Sequence, residues 1–130
     1  GRDWSAAVTL LSAGAAGSAS MDGLHVRNSS NLTFQALDLG RALNPGEGEY
    51  TSLNTVRGSD RIRFLGVEFH GSRDGTPWND GVGLLASGTT NLRVENSDFS
   101  ELTRGLSIER SSNATVNRNA FHDIRVDGIT

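Results

Sequence analysis

The chain has 130 residues, with 15 carboxylates against 12 basic groups and a net charge of −3. Every basic residue is Arg and none sits in a Lys/Arg-rich tract, which argues against nonspecific DNA or RNA binding. There is no Cys, so a disulfide framework and a thiolate zinc site are excluded, and no apolar run approaches the roughly 18 residues of a membrane span.

The first readable element is a strand from Val8 to Leu11 followed by a small-residue loop. The segment AAVTLLSAGAAGSAS has the outline of a signal-peptide core, but GRDW before it carries no excess positive charge, and the strand is the preferred reading. Residues 1–21 therefore read as the end of a preceding coil, or as an N-terminal edge strand with its loop. From Asp22 onward a pattern repeats. VRNSSNLTF (26–34) returns as VRGSDRIRF (56–64), and the longer segment NLTFQALDL (31–39) recurs as RIRFLGVEF (61–69), NLRVENSDF (91–99) and NATVNRNAF (113–121). Three apolar columns run through these copies: Leu32, Ile62, Leu92 and Ala114; Phe34, Phe64, Val94 and Val116; Leu39, Phe69, Phe99 and Phe121. A short alternating strand precedes each copy: DGLHV (22–26), SLNTV (52–56), DGVGLL (80–85) and RGLSI (104–108), with DGIT (127–130) opening one more.

Alternation over four or five residues, punctuated by Ser/Asn/Gly turns, is a strand signature and leaves no room for a helix. A period of about 22 to 30 residues calls for a solenoid. Stacked coils place equivalent residues about 4.8 Å apart, which turns the Phe column into a continuous internal stack. Each repeat depends on its neighbours to bury its apolar face.

The DG-(apolar)-x-(apolar) strand, the x-S-x-N turn and NLRVENSDF, with Asn96 at a tight bend, resemble the right-handed parallel β-helix repeat of the pectin-lyase-like superfamily. The resemblance covers residues 22–130 and implies an all-β fold of four to five coils, three short strands in each. The bend positions matching Asn96 are Ala36, Gly66 and Arg118, so no continuous Asn ladder is expected. The chain lacks an initiator Met and stops within a repeat, and so reads as an excerpt of a longer protein; open strand edges at its ends predict self-association or partner chains.

Two variable turns are long, GRALNPGEGEY (40–50) and HGSRDGTPWND (70–80). They form a local wall on a rigid scaffold, where function commonly lies. Tyr50, Arg73 and Trp78 are the candidate substrate-binding residues there, the aromatic pair being suited either to stacking on sugar rings or to covering apolar edges. In lyases and epimerases of the superfamily the groove follows the first-strand face beside such turns. On that face alternation turns His25, Thr55, Gly83 and Ser107 outward, then Arg27, Arg57 and Glu109. Abstraction of a sugar C5 proton requires a base, a cation for the uronate carboxylate and an acid for the leaving oxygen. His25, Arg27, Arg57 and Asp80 are the candidates for the first two of these roles. The competing account is that Asp-Gly is turn chemistry and that His and Arg are solvated sheet residues.

Asp38, Glu68 and Asp98 occupy one position in three consecutive coils. Carboxylates about 5 Å apart repel, so the stack requires bound cations, nearby Arg or raised pKa values. Ca²⁺ accepts such oxygen ligands, and the column is the candidate metal site; the alternative is a solvated acidic strip with help from Arg63 and Arg93. His70 and His122 flank the column about 10 Å apart, too far to share one metal. The sequons NSS, NLT and NAT fall in turns the coil needs anyway. No calcium-binding nonapeptide repeat, Ser nucleophile elbow, phosphate loop or DPHD-like stretch is present, and no Lys is available as a base.

Two functions remain open. One is a secreted or surface-exposed solenoid that binds an acidic polysaccharide and extends to cleaving or epimerising it. The other is a non-catalytic stalk, adhesin or phage-like spike segment. Convergence of polar residues under the long loops separates them, because one fold serves both.

Overall fold

A segment that buries every second side chain on a face only a few residues wide gains nothing alone, so its copies pair edge to edge in parallel. The computed structural model describes residues 8–12, 14 and 19–130. The small-residue loop expected after Leu11 lies largely outside the described residues. In chain order the strands are β1 (Val8–Leu11), β2 (Ser20–Met21), β3 (His25–Arg27), β4 (Ser30–Gln35), β5 (Asp38–Gly40), β6 (Thr55–Arg57), β7 (Asp60–Leu65), β8 (Glu68–His70), β9 (Val82–Ser87), β10 (Arg93–Glu95), β11 (Asp98–Glu109), β12 (Thr115–Asn117) and β13 (Ala120–Ile129). One sheet stacks the second strands in the order β1-β4-β7-β10-β12. The other joins third and first strands, β2-β5-β8-β11-β9-β6-β3, with β13 on β11. All these pairings are parallel.

The apolar columns fall into register as the repeat requires. Phe34 pairs with Phe64, and Leu39, Phe69, Phe99 and Phe121 lie on successive strands. Their rings stack at 5.3 Å (Phe34–Phe64), 4.6 Å (Phe69–Phe99) and 4.8 Å (Phe99–Phe121), and Phe64 meets Phe69 edge-on at 5.4 Å. Phe64, Phe69 and Phe99 are wholly buried, a contribution of about 2–3 kcal/mol each. The one polar side chain in the first-strand core column, Asn54, accepts the Leu24 N–H at 2.8 Å and donates to the Gly83 carbonyl at 2.7 Å. It thus pins three coils together without leaving a buried polar atom unpaired.

Corners between strands use the left-handed backbone region, one residue per coil. The columns are Asn28, Gly58, Gly88 and Arg110; Asn31, Arg61, Asn91 and Asn113; and Ala36, Gly66, Asn96 and Arg118. Asn and Gly tolerate this region, whereas Arg and Ala pay for it. The absence of a continuous Asn ladder at the third corner therefore leaves the bend intact but more costly at Ala36 and Arg118.

The expected three strands per coil hold where a long loop intervenes, giving β5 and β6, then β8 and β9. Coils without the loop run third into first strand as one long strand, β11 and β13. The bend is then absorbed by left-handed Glu101 and Asp123 and a register shift between Leu102 and Arg104. A second correction concerns the first-strand face. Leu85, not Gly83, sits beside Thr55 and Ser107. The Asp-Gly pair before β9 lies two residues earlier in its coil than the Asp-Gly before β3, and Gly83 is buried.

Candidate functional site

Long loops can be held only by side chains that reach back to the scaffold, and charged residues do most of that holding. The carboxylate column forms as expected, with Asp38 beside Glu68 and Glu68 beside Asp98. Three side chains reach it, Arg73, His70 and His122. Arg73, in the second long loop, forks across two members, donating at 3.0 Å to Asp38 Oδ2 and at 3.0 Å to Glu68 Oε2. His70 Nε2 bonds Asp38 Oδ1, and His70 Nδ1 lies 2.8 Å from the Gly71 carbonyl. His122 Nε2 sits 3.0 Å from both oxygens of Asp98, and its Nδ1 lies 3.1 Å from Asp123. The carboxylates of Asp123 and Asp98 raise the His122 pKa above its ordinary value. Arg63 and Arg93, on the far side of the bend, ion-pair with Glu95 at 3.5 and 3.1 Å and take no part in the column. Among the described residues no group of three or more His, Asp or Glu side chains is placed to hold one metal ion.

Asp80 is buried at the base of the same loop, accepting the Ser72 N–H at 2.8 Å while its carbonyl accepts the Thr103 hydroxyl at 2.9 Å. Gly71 permits this closeness, since a Cβ there would collide with the Glu101 carbonyl and the Asp80 carboxylate. Asp74 ties the loop tip. The Ser72 hydroxyl first, then the Asn79 amide and the Thr76 N–H, hold its pKa down to about 2. In the first long loop Arg41 bonds both oxygens of Glu47 at 2.7 and 3.1 Å.

Tyr50 and Trp78 stay exposed, but each carries a guanidinium on its ring: Arg104 lies 4.8 Å from the Tyr50 centroid and Arg125 5.0 Å from that of Trp78. Arg125 also bonds Glu49, and Arg104 ion-pairs with Asp127 at 3.4 Å. The loops of the first two coils thereby reach across to the later coils. Polar groups do converge beneath them, and most are spent on one another.

The first-strand face is different. His25 and Arg27 on β3 lie beside Thr55 and Arg57 on β6, and all four point outward. His25 Nδ1 is 2.8 Å from the Thr55 hydroxyl. Arg27 and Arg57 stack directly across, and among the described residues neither guanidinium has a hydrogen bond or an ion pair. The structure therefore gathers His25, Arg27 and Arg57 on one face and places Asp80 elsewhere, under the loop. A further feature escaped sequence reading. On the outer face of the second-strand sheet, Arg61, Arg63 and Arg93 line a cavity of about 560 Å³. The cue was the Arg-x-Arg of RIRF followed one coil later by NLRV, which alternation directs outward.

Parallel strands in stacked coils, in-register columns and one left-handed residue at each corner define a parallel β-helix solenoid. The chain belongs to the family described as the right handed beta helix region, whose model matches residues 18–130. Comparison with curated proteins and with solved structures returns no match.

Proposed function

We propose that this solenoid recognises an acidic polysaccharide outside the cell, through the first-strand face. The observation that carries the reading is the Arg27–Arg57 stack. Two like charges directly across neighbouring strands destabilise a sheet, and among the described residues nothing neutralises this pair. A chain of uronate carboxylates laid along the solenoid axis supplies the missing charge, since guanidinium forks match carboxylates bidentately. His25, two residues from Arg27 on the same face, sits where it meets the same sugar. Uronate chemistry at this place would begin with His25 taking the C5 proton from a sugar whose carboxylate is held by Arg57; in β-elimination the C4–O4 bond then breaks and the leaving oxygen takes a proton from solvent, and in C5 epimerisation solvent returns a proton to the opposite face of C5.

The test is binding of the protein to a panel of uronate polymers and a neutral glucan, with and without Ca²⁺, alongside assays for unsaturated product and epimerised sugar. Uronate-selective binding that Arg27→Gln and Arg57→Gln weaken by about tenfold each supports the reading. Turnover lost in His25→Ala with binding retained would make the face catalytic. Equal affinity for charged and neutral polymers would sink it. A structural solenoid is the second reading, and one observation favours it: the loop charges are spent internally, on Asp38, Glu68, Glu47 and Glu49.

A further inference from the structure

The second-strand sheet turns its outer face away from both long loops. The cavity there draws on four consecutive strands, through Thr33, Arg63, Arg93 and Thr115, which share one outward column. Three interstrand spacings make it about 14 Å long, running along the solenoid axis. Its three guanidiniums are gripped by the same atom. Arg61 ion-pairs through Nε with Asp60 at 3.2 Å, and Arg63 and Arg93 through Nε with one oxygen of Glu95. Their terminal nitrogens make no hydrogen bond among the described residues, and so remain as paired donors. Asp60 stays charged, its pKa lowered by the Thr90 hydroxyl and then the Asn91 amide. Three positive groups against two carboxylates leave one positive charge in surplus. Arg63 Nε and Glu95 Oε1 are buried without a linear hydrogen bond, a condition that native sites commonly resolve with a bound group or water.

The backbone adds an independent observation. At the corner that begins each second strand, three coils place Asn in the left-handed region, with φ of 58° at Asn31, 54° at Asn91 and 59° at Asn113; the fourth places Arg61 there at φ 53°. Arg in this conformation costs about 1–2 kcal/mol that Asn largely avoids. Beside it the Asn113 amide donates to Asn91 at 3.0 Å and the Asn91 amide to Asp60 at 2.9 Å, forming a neutral, hydrogen-bonding rim.

We infer that this slot is a second binding site for an anionic saccharide, whose carboxylate or sulfate groups bridge Arg63 and Arg93 while its hydroxyls meet Thr33, Thr115 and the Asn rim. A slot this long, with donors in forks and neutral polar groups between them, suits a chain of charged sugars better than a lone ion. The inference takes its ligand class from the function proposed above but uses a different face. Calorimetric titration with a short uronate oligosaccharide, with inorganic sulfate as the comparison, separates the two. Two sites per chain are expected. Arg63→Gln with Arg93→Gln removes one, and Arg27→Gln with Arg57→Gln removes the other. Arg61→Asn keeps the fold safe, because it relieves the strained corner: it should raise the melting temperature while weakening the second site about tenfold. Stoichiometry and affinity unchanged in the Arg63/Arg93 and Arg61 variants, with binding lost only in the Arg27/Arg57 variant, would overturn this inference and leave the first reading standing. Sulfate binding as tightly as the oligosaccharide and displacing it fully would overturn the saccharide assignment. No binding to any variant or to the parent protein would overturn both.

Discussion

Two of the like-charge columns along this solenoid are treated differently. Asp38, Glu68 and Asp98 form an acidic column that the molecule neutralises, with Arg73 forked across two members and His122 on the third. Arg27 and Arg57 form a basic column that it leaves alone among the described residues. The coil geometry creates both, because any outward residue repeated at the coil period meets its copy about 4.8 Å away. Repulsion at that spacing is met from within at the acidic column and, through Glu95, at Arg63 and Arg93, but not at Arg27 and Arg57 among the described residues. The difference is the observation on which the proposed binding of an external anion at Arg27 and Arg57 rests.

Breaking the neutralised column should cost stability. The largest effect is expected from Gly71→Ala, where the new methyl meets the Glu101 carbonyl and the Asp80 carboxylate and displaces the loop that carries Arg73; a loss of about 2–4 kcal/mol is expected in urea denaturation. An unchanged midpoint would show that the loop does not hold the column. Arg73→Gln should cost less, about 1–2 kcal/mol, since Arg73 is partly exposed but leaves the nearly buried Asp38 with only His70. High salt should shrink that loss. A salt-independent loss would mean that packing, not charge, is what Arg73 contributes.

The smallest effect concerns His122. Its pKa is raised in the folded state by Asp123 and Asp98. Its stabilisation is therefore fully present below the unfolded value of about 6.5 and is lost as pH rises through the higher folded value. Because the side chain is more than half exposed, the effect should be small. A shallow decline in melting temperature as pH rises above about 6.5, absent in His122→Ala, is the expected outcome; parallel pH curves for the two proteins would remove His122 from the account.

The fold was legible because its determinants are periodic. Leu39, Phe69, Phe99 and Phe121 announce a stack by recurrence alone, and so do Asp38, Glu68 and Asp98. What recurrence does not carry is the partner drawn from an irregular segment. Arg73 reads as an exposed loop cation, and only its position shows that both its terminal nitrogens are occupied by the acidic column. Asp80 and Gly83 were misplaced for a related reason. Asp-Gly recurs as turn chemistry, but the eleven-residue loop before β9 brings it in at a different depth from the Asp-Gly before β3. Arg63 and Arg93 read as help for the acidic strip, yet the corner at Ala36, Gly66, Asn96 and Arg118 carries them to another face, where they pair with Glu95 and line a cavity of their own.

The contrast between the columns is tested most directly by thermal denaturation of Arg57→Gln at low salt, with and without a uronate polymer. Without polymer the variant should melt at or above the temperature of the parent protein, because a repulsion has been removed. With polymer the parent should gain stability through ligand linkage, and the variant should gain little or none. A variant that melts lower than the parent without polymer, yet shows the full polymer-induced rise, would contradict the assignment of this stack to an external anion.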